Sequence, residues 1–326
     1  MDEKVDILLA IYNTNIEYLK QQIESILKQT YKNFRLLISD DFSEKEEIRN
    51  ILKEYKQKDK RIILYWQEKN LGYNKNFEFL LEQANAQYIM FADHDDIWYP
   101  QKVEKSVEMI KKRDVDLVYC NANQINENGN MIQKSYFKYK NVPLIKGKNK
   151  LMLTRCIGIG CSQMITDTVK SKMLPFTNEV IAHDWLASFL AGEGKGMAYI
   201  EEPLFGYRLH QENVFGGRKL AQNLTRWKEE NGKNYQSYLK YRKEKVIRKA
   251  YLDGTNMCMT YVQKEEHKKF LEKLIQYYEN LEKSKYINTH IIQYFRFLSG
   301  KNLGKKMMKE IIIFHLPILG YLIYRL

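Results

Sequence analysis

Proline and glycine are scarce in this 326-residue chain, at 5 and 16 copies. So small a supply excludes collagen-like and Pro/Gly-rich disordered classes. Cysteine is rarer still: Cys120, Cys156, Cys161 and Cys258 form no C-x-x-C pair, and no histidine stands at zinc-finger spacing from them. A disulfide scaffold and a structural zinc module are excluded, and the thiols read as reduced, as expected of a cytosolic protein. Secretory leader features are missing too. Met1-Asp2-Glu3-Lys4 runs straight into an apolar strand, so the expected location is inside the cell. Neither G-x-x-x-x-G-K-[ST] nor G-x-G-x-x-G occurs, which disfavours P-loop NTPases and dinucleotide enzymes. Internal repeats and low-complexity tracts are absent as well.

What is present is a chain with 44% hydrophobic residues, enough for a packed core, with 24 tyrosines and a formal charge of +13. A basic surplus suits nucleic acid, anionic lipid or phosphate-bearing small molecules. Much of it lies between Arg218 and Lys249, where only Glu229, Glu230 and Glu244 oppose the lysines and arginines. A solvated helix face is the bland alternative for such a run.

Val5 to Ile11 is an apolar run of the kind found in strands buried on both faces. Leu19, Ile23, Ile26 and Leu27 then recur at helical spacing. Phe34 to Ser39, Arg61 to Trp66 and Gln87 to Ala92 read as further strands, alternating with helices around Ile48–Tyr55 and Asn76–Ala84. This β-α-β-α order predicts an α/β fold with a doubly wound, mostly parallel sheet flanked by helices. Such sheets bind ligands at the carboxyl ends of their strands. Polar clusters stand at those ends: Tyr12 and Asn13, Asp40 and Asp41, Asn70 and Gly72, then Asp93 to Asp96. Their succession points to a nucleotide crevice. After Asn121 the pattern loosens, with Gly158-Ile159-Gly160, Asp184-Trp185 and a strand from Met197 to Ile200 as landmarks. A boundary is expected near Gly216-Gly217, dividing a domain over 1–216 from a basic helical region over 217–326.

Asp93-His94-Asp95-Asp96 places three carboxylates within four positions, which would repel one another without a cation. Mg²⁺ or Mn²⁺ prefers such oxygen ligands and bridges to phosphates. The alternative is an acidic turn before the helix that begins near Pro100. Asp40 could accept from a pyrimidine imide N–H, whereas Asp41 or Ser43 could be an ordinary helix cap. Asp184 could deprotonate an incoming hydroxyl, with His183 as the competing base and a helix cap as the bland reading. Arg208 and His210, in Tyr207-Arg208-Leu209-His210, suit a diphosphate contact and a third metal ligand.

Together these residues resemble the family 2 glycosyltransferases of the GT-A fold, and most of all their bacterial rhamnosyltransferase-like branch, which builds cell-wall, capsule and O-antigen polysaccharides. The resemblance runs from about Val5 to Asn213. It rests on Ala10-Ile11-Tyr12-Asn13, Gln29-Thr30-Tyr31-Lys32-Asn33, Ser39-Asp40-Asp41, Asn70-Leu71-Gly72, Ala92-Asp93-His94-Asp95-Asp96-Ile97-Trp98, His183-Asp184-Trp185 and Tyr207-Arg208-Leu209-His210. It implies an inverting, single-displacement transfer from a nucleoside-diphosphate sugar, dTDP-L-rhamnose first and a UDP-hexose second, to a polyprenyl-diphosphate-linked saccharide. By similarity, Tyr12, Asn13, Asp40 and Asn70 line the nucleotide-sugar pocket, and Asp93 and Asp95 hold the metal and diphosphate. Asp184 is then the base, and His210 closes on the metal.

There are departures. Ala10-Ile11 replaces the usual proline before the Tyr-Asn pair, and Gln222-Asn223-Leu224-Thr225-Arg226-Trp227 is one residue too long for Q-x-x-R-W. The second departure implies addition of one or a few sugars rather than processive extrusion. A nucleic-acid partner is not expected, because the strand-end carboxylates would repel phosphate.

The C-terminal residues from Ile311 to Leu326 are apolar but contain Pro317, and they follow Lys301, Lys305, Lys306 and Lys309. A spanning helix needs about 20 apolar residues. A basic-then-apolar segment suits instead a peripheral anchor on the anionic inner face of the cell membrane. Packing on the protein's own core, or on a second copy in a homodimer, is the alternative.

Overall fold

The computed structural model describes residues 3–140, 142–148, 150–210, 227–232, 234–241, 243–244 and 251–283. The chain divides into two compact units, Met1–Met152 with Cys156–Arg208, and Leu153–Arg155 with Leu209–Leu326. Both the expected boundary at Gly216-Gly217 and the apolar tail lie outside the described residues.

In the first unit, β1 (Val5–Ile11), β2 (Phe34–Asp40), β3 (Ile62–Trp66) and β4 (Tyr88–Ala92) alternate with α1 (Ile16–Leu27), α2 (Glu46–Lys58) and α3 (Tyr73–Gln83). Strand β1 pairs in parallel with both β2 and β4, and β2 with β3. Burial on both faces explains the apolar sequences: Ile7, Leu8, Leu9, Leu36, Leu37, Ile89 and Met90 are all fully buried. Helix α1 is capped by Asn15, whose side chain accepts from the Glu17 and Tyr18 amides. Its buried face is Leu19, Gln22, Ile23, Ser25 and Ile26, the helical stripe that the sequence predicts.

The second half of the unit is mixed. It comprises β5 (Ile97–Trp98), α4 (Lys102–Arg113), β6 (Leu117–Ile125), β7 (Met131–Gln133), α5 (Tyr136–Lys140), β8 (Gln163–Thr166), α6 (Asp167–Met173), α7 (His183–Glu193) and β9 (Met197–Arg208). The sheet order is β3-β2-β1-β4-β8-β6-β9-β5, with β7 on β6. The mostly parallel sheet therefore describes the N-terminal strands. Beyond them β8 runs antiparallel to β4 and β6, β9 runs parallel to β6, and β5 antiparallel to β9. The strand expected over Met197 to Ile200 continues through Pro203 to Arg208, with its register on β6 shifting around Asn121. A bulge there accommodates a proline that cannot donate to the ladder.

In the second unit the described helices include Asp253–Tyr261 and Glu265–Lys283. Met257, Cys258, Leu271, Leu274, Tyr277 and Leu281 are buried. Among the described residues no helix is long and apolar enough to cross a membrane.

Candidate active site

The polar clusters converge at one edge of the sheet because parallel strands end in register there. Ile11 pairs with Asp40, and Asp40 with Trp66. Three exposed aromatic rings stand there: Tyr12 and Phe42 just beyond β1 and β2, and Trp66 as the last residue of β3. Asn13 and Phe42 hold left-handed backbones at φ 44° and 65°, and the latter is unusual for a bulky residue. The Asn13 amide donates to Ser43 Oγ at 2.9 Å, and Asn13 Oδ1 accepts from the Glu44 amide at 2.9 Å. Ser43 is thus a loop-to-loop link. Asp41 accepts from the Leu71 and Gly72 amides at 2.7 and 2.9 Å, shaping the loop that carries exposed Asn70. Neither residue caps α2, whose N-cap is Lys45.

Asp40 is fully buried, and its Oδ1 accepts from the Ser43 amide at 3.3 Å. Its Oδ2 has no hydrogen-bond partner, while Arg49 Nε stands 3.7 Å away beneath the Trp66 ring. An unmatched buried acceptor beside aromatic rings is suited to a ligand N–H.

The turn Asp93-His94-Asp95-Asp96 joins β4 to β5 and is fastened from several directions. Gln22 Nε2 donates to the Asp93 carbonyl at 2.8 Å, and Thr14 Oγ1 lies 2.6 Å from His94 Nδ1. The Arg208 amide donates to Asp96 Oδ1 at 3.1 Å, and Arg208 Nε donates to the Asp95 carbonyl at 2.7 Å. One carboxylate oxygen of Asp93 and one of Asp96 lie within 4.8 Å of each other and of Cys161 Sγ. Burial pushes the Asp93 carboxyl up to about 7, and the Asp95 charge adds to the shift, as does Asp184. Asp96 is raised as well, by burial first and then by Asp95 and Asp93. Proximate carboxylates held up in this way match a cation site. The Cys161 thiol is pushed upward by burial, so it stays protonated and is a weak ligand, and the donor set suits a hard cation through oxygen.

Lys102 lies under this turn, fully buried. Its ammonium donates to the Cys161 carbonyl at 2.6 Å and sits 3.6 Å from the Trp98 ring centroid and 4.1 Å from that of Phe205. Burial lowers its pKa. The sequence offers one signal for it: Lys102 shares the buried face of α4 with Val103, Ser106, Val107 and Ile110. Gln22 and Thr14 carry no comparable signal.

Arg208 makes its contacts within the protein. It is fully buried and extends across the protein's own polar atoms, with Nη1 donating to the Asn126 and Glu127 carbonyls at 3.3 and 2.8 Å and Nη2 to Gln21 Oε1 at 2.6 Å. Its guanidinium also lies 4.3 Å from the Tyr18 ring centroid. These internal bonds favour a positioning role for Arg208 over the diphosphate contact that the sequence suggests. A guanidinium so engaged positions the carboxylate turn. His210 belongs to the second unit, where it is half-buried.

Asp184 occupies the first turn of α7 and accepts from the next amide, Trp185 N, at 2.9 Å, with the buried Cys156 thiol as a second hydrogen-bonding neighbour. The N-cap is Ala182, without a side-chain cap, so the bland capping role is not taken. His183 beside it is fully buried, stacked 4.2 Å from Phe77 and near Phe91 and Tyr73. Both ring nitrogens lack partners, and desolvation pushes the imidazole down to about 4. Gly160 approaches so closely that a Cβ there would lie 2.9 Å from His183 Nε2. An imidazole enclosed by rings and backbone cannot reach a substrate hydroxyl. The competing base is eliminated on access.

The glycosyl transferase family 2 model matches residues 6–171, which contain the carboxylate turn and the parallel pairing of β1 to β4. This chain is a family 2 glycosyltransferase. The enzyme is 32% identical over 238 residues to an uncharacterized glycosyltransferase of Methanocaldococcus jannaschii, covering 69% of this chain and 79% of that protein. It is 31% identical over 191 residues to an Escherichia coli UDP-Glc:alpha-D-GlcNAc-diphosphoundecaprenol beta-1,3-glucosyltransferase, covering 57% of the glycosyltransferase described here and 70% of its relative. The GT-A fold is shared with the mannosyltransferase of Pyrobaculum calidifontis solved with GDP-Man and Mn²⁺, at a TM-score of 0.55 and 12% identity, over 100% of this chain and 86% of the other.

Proposed function

We propose that the enzyme transfers a sugar, with inversion, from a nucleoside-diphosphate donor to a polyprenyl-diphosphate-linked saccharide in cell-wall or capsular polysaccharide synthesis. The observation that carries this reading is how one short segment links Asp184 to the carboxylate turn. A Cβ on Gly160 would lie 3.5 Å from Asp184 Cβ, and the next residue, Cys161, has its Sγ within 4.8 Å of oxygens of Asp93 and Asp96, so the proposed base and the proposed diphosphate-binding carboxylates border the same segment. Tyr12, Asn13, Asp40 and Asn70 take the nucleoside end, with Asp40 Oδ2 accepting from the base. Asp93 and Asp95 would hold Mn²⁺ or Mg²⁺, which would offset charge growing on the leaving diphosphate. Asp184 removes the acceptor proton on the face opposite the leaving group, and Arg208 keeps the turn in place.

The donor to test first is dTDP-L-rhamnose, on the rhamnosyltransferase-like motifs. A UDP-hexose comes second, and the named activity of the E. coli relative favours it. The acceptor's lipid carrier, the basic surplus and the apolar C-terminal residues together support a peripheral position on the inner membrane face. A panel of nucleotide sugars, assayed with a lipid-linked acceptor and Mn²⁺, tests the reading. One donor should give product, and exhaustive EDTA should abolish turnover. Full turnover without a divalent cation would refute the metal assignment.

A further inference from the structure

Residues 131–148 contain Lys134, Lys138, Lys140, Lys146 and Lys148 and no acidic residue. They form β7, α5 and the loop beyond, and their backbone is firmly attached. Strand β7 pairs with β6. Asn121 fixes α5, with Oδ1 accepting from the Phe137 amide at 2.9 Å and Nδ2 donating to Ser135 Oγ at 2.9 Å. The Ile145 amide donates to the Tyr119 hydroxyl at 2.8 Å, and Gly147 exchanges backbone hydrogen bonds with Met197. Phe137 is buried.

Yet large apolar side chains on this fixed frame face outward: Met131 is 56% exposed, Ile132 52%, Tyr139 54% and Leu144 47%. Lys134, Lys138, Lys146 and Lys148 are exposed among them. A soluble surface rarely groups side chains of this kind, and an edge strand that exposes every residue is an association hazard unless something covers it. Apolar side chains interleaved with unopposed lysines complement one surface in particular, an anionic bilayer, whose headgroups take the ammonium groups and whose acyl boundary takes the apolar side chains.

We infer that β7, α5 and the following loop form a membrane-contacting face of the catalytic unit, which docks on anionic phospholipid beside the acceptor side of the active site. The placement beside the site has its own support. Tyr136, on α5, packs its ring 5.6 Å from that of Tyr207 and lies near enough to Asp184 to feel its charge. At the other end of the hairpin, Arg208 holds the Asn126 and Glu127 carbonyls as well as the Asp95 carbonyl. The same short element thus touches lipid on one side and borders the catalytic carboxylates on the other. That suits an acceptor whose reacting sugar sits just above a membrane-embedded carrier, and this last step rests on the function proposed above. The face is distinct from the basic and apolar C-terminal residues, which lie outside the described part of the chain.

The test uses the full chain with vesicles of phosphatidylcholine alone and of phosphatidylcholine mixed with phosphatidylglycerol. The wild type should cosediment with the anionic vesicles, and less so as salt rises. The pairs Met131→Ser with Ile132→Ser, and Lys134→Gln with Lys138→Gln, should each weaken binding by about tenfold. Melting temperature and donor affinity should stay unchanged. Transfer to a vesicle-embedded polyprenyl acceptor should fall in parallel, while transfer to a short-chain soluble analogue should not. Wild-type vesicle binding by both pairs would overturn the inference. So would unchanged lipid binding accompanied by loss of a dimer in sedimentation equilibrium, which would assign the face to a second copy. If vesicle binding falls but no donor supports transfer in any form, the docking face stands and the proposed function fails.

Discussion

At the scale of single residues, Asp184 and His183 separate most cleanly. Asp184→Asn keeps the shape and removes the proton acceptor, so transfer should fall by roughly 10² to 10⁴, the usual effect of a general base. Donor affinity and melting temperature should barely move, and near-normal transfer would sink the assignment. His183 should instead show itself in stability. Its folded pKa, pushed down to about 4, lies below the ordinary value of 6.5. Between those values the unfolded chain binds the extra proton, so stability is lost as pH falls from about 6.5 toward 4, by roughly 3 kcal/mol in all. Melting curves at pH 7 and pH 5 check this: the wild type should lose more than His183→Phe, which has no proton to gain. An equal loss in both would assign the acid sensitivity elsewhere.

At the scale of elements, the parallel strands were legible and the mixed ones were not. Strands β1 to β4 are buried on both faces, so their apolar runs stand out against polar strand ends. Strand β6 is buried too, but Asn121, Asn123 and Gln124 lie within it and break the pattern, and β8 has only four residues. Side-chain placement was legible where type and place agreed, as with Asp40, buried at the end of β2, and misleading where a residue served a distant loop. Asp41 and Ser43 look like caps because they precede a helix, yet their partners, Leu71, Gly72 and Asn13, come from loops far along the chain. Lys102 was hidden for a different reason: a lysine is ordinarily read as solvent-facing. Arg208, the last residue of β9, offers a prediction at this scale. Arg208→Met would leave the Asp95, Asn126 and Glu127 carbonyls without its N–H groups, at about 1–3 kcal/mol for each buried acceptor left unmatched. Melting temperature and cation affinity should both fall. A phosphate-binding arginine would behave otherwise, lowering donor affinity while the melting temperature held.

At the scale of the whole molecule, the proposed function would divide donor and acceptor roles along one sheet. On that proposal the nucleoside end would be built from the contiguous parallel strands β1 to β4, and the acceptor side from strands and helices drawn from later sequence. Strand β5 joins the sheet only through β9, by the pairs Ile97 with Gly206 and Trp98 with Phe205. The carboxylate turn sits immediately before β5, and its clamp arrives 112 residues after Asp96.

That long span sets an order of events during synthesis. A ribosome adding roughly 5–20 residues each second would need on the order of 5–20 seconds to travel from the turn to its clamp. Through that interval the nascent chain can assemble its first four strands, yet its three aspartates have neither Arg208 nor the β9 edge to hold them. If the turn carries the proposed metal site, competence for catalysis emerges late, after β1 to β4 are in place. A nascent chain stalled at residue 196 should protect β1 and β2 from protease yet gain no resistance from Mn²⁺ and nucleotide sugar, while one extended well past residue 208 should gain it. If the shorter chain responded equally, the turn would be self-supporting and the clamp dispensable.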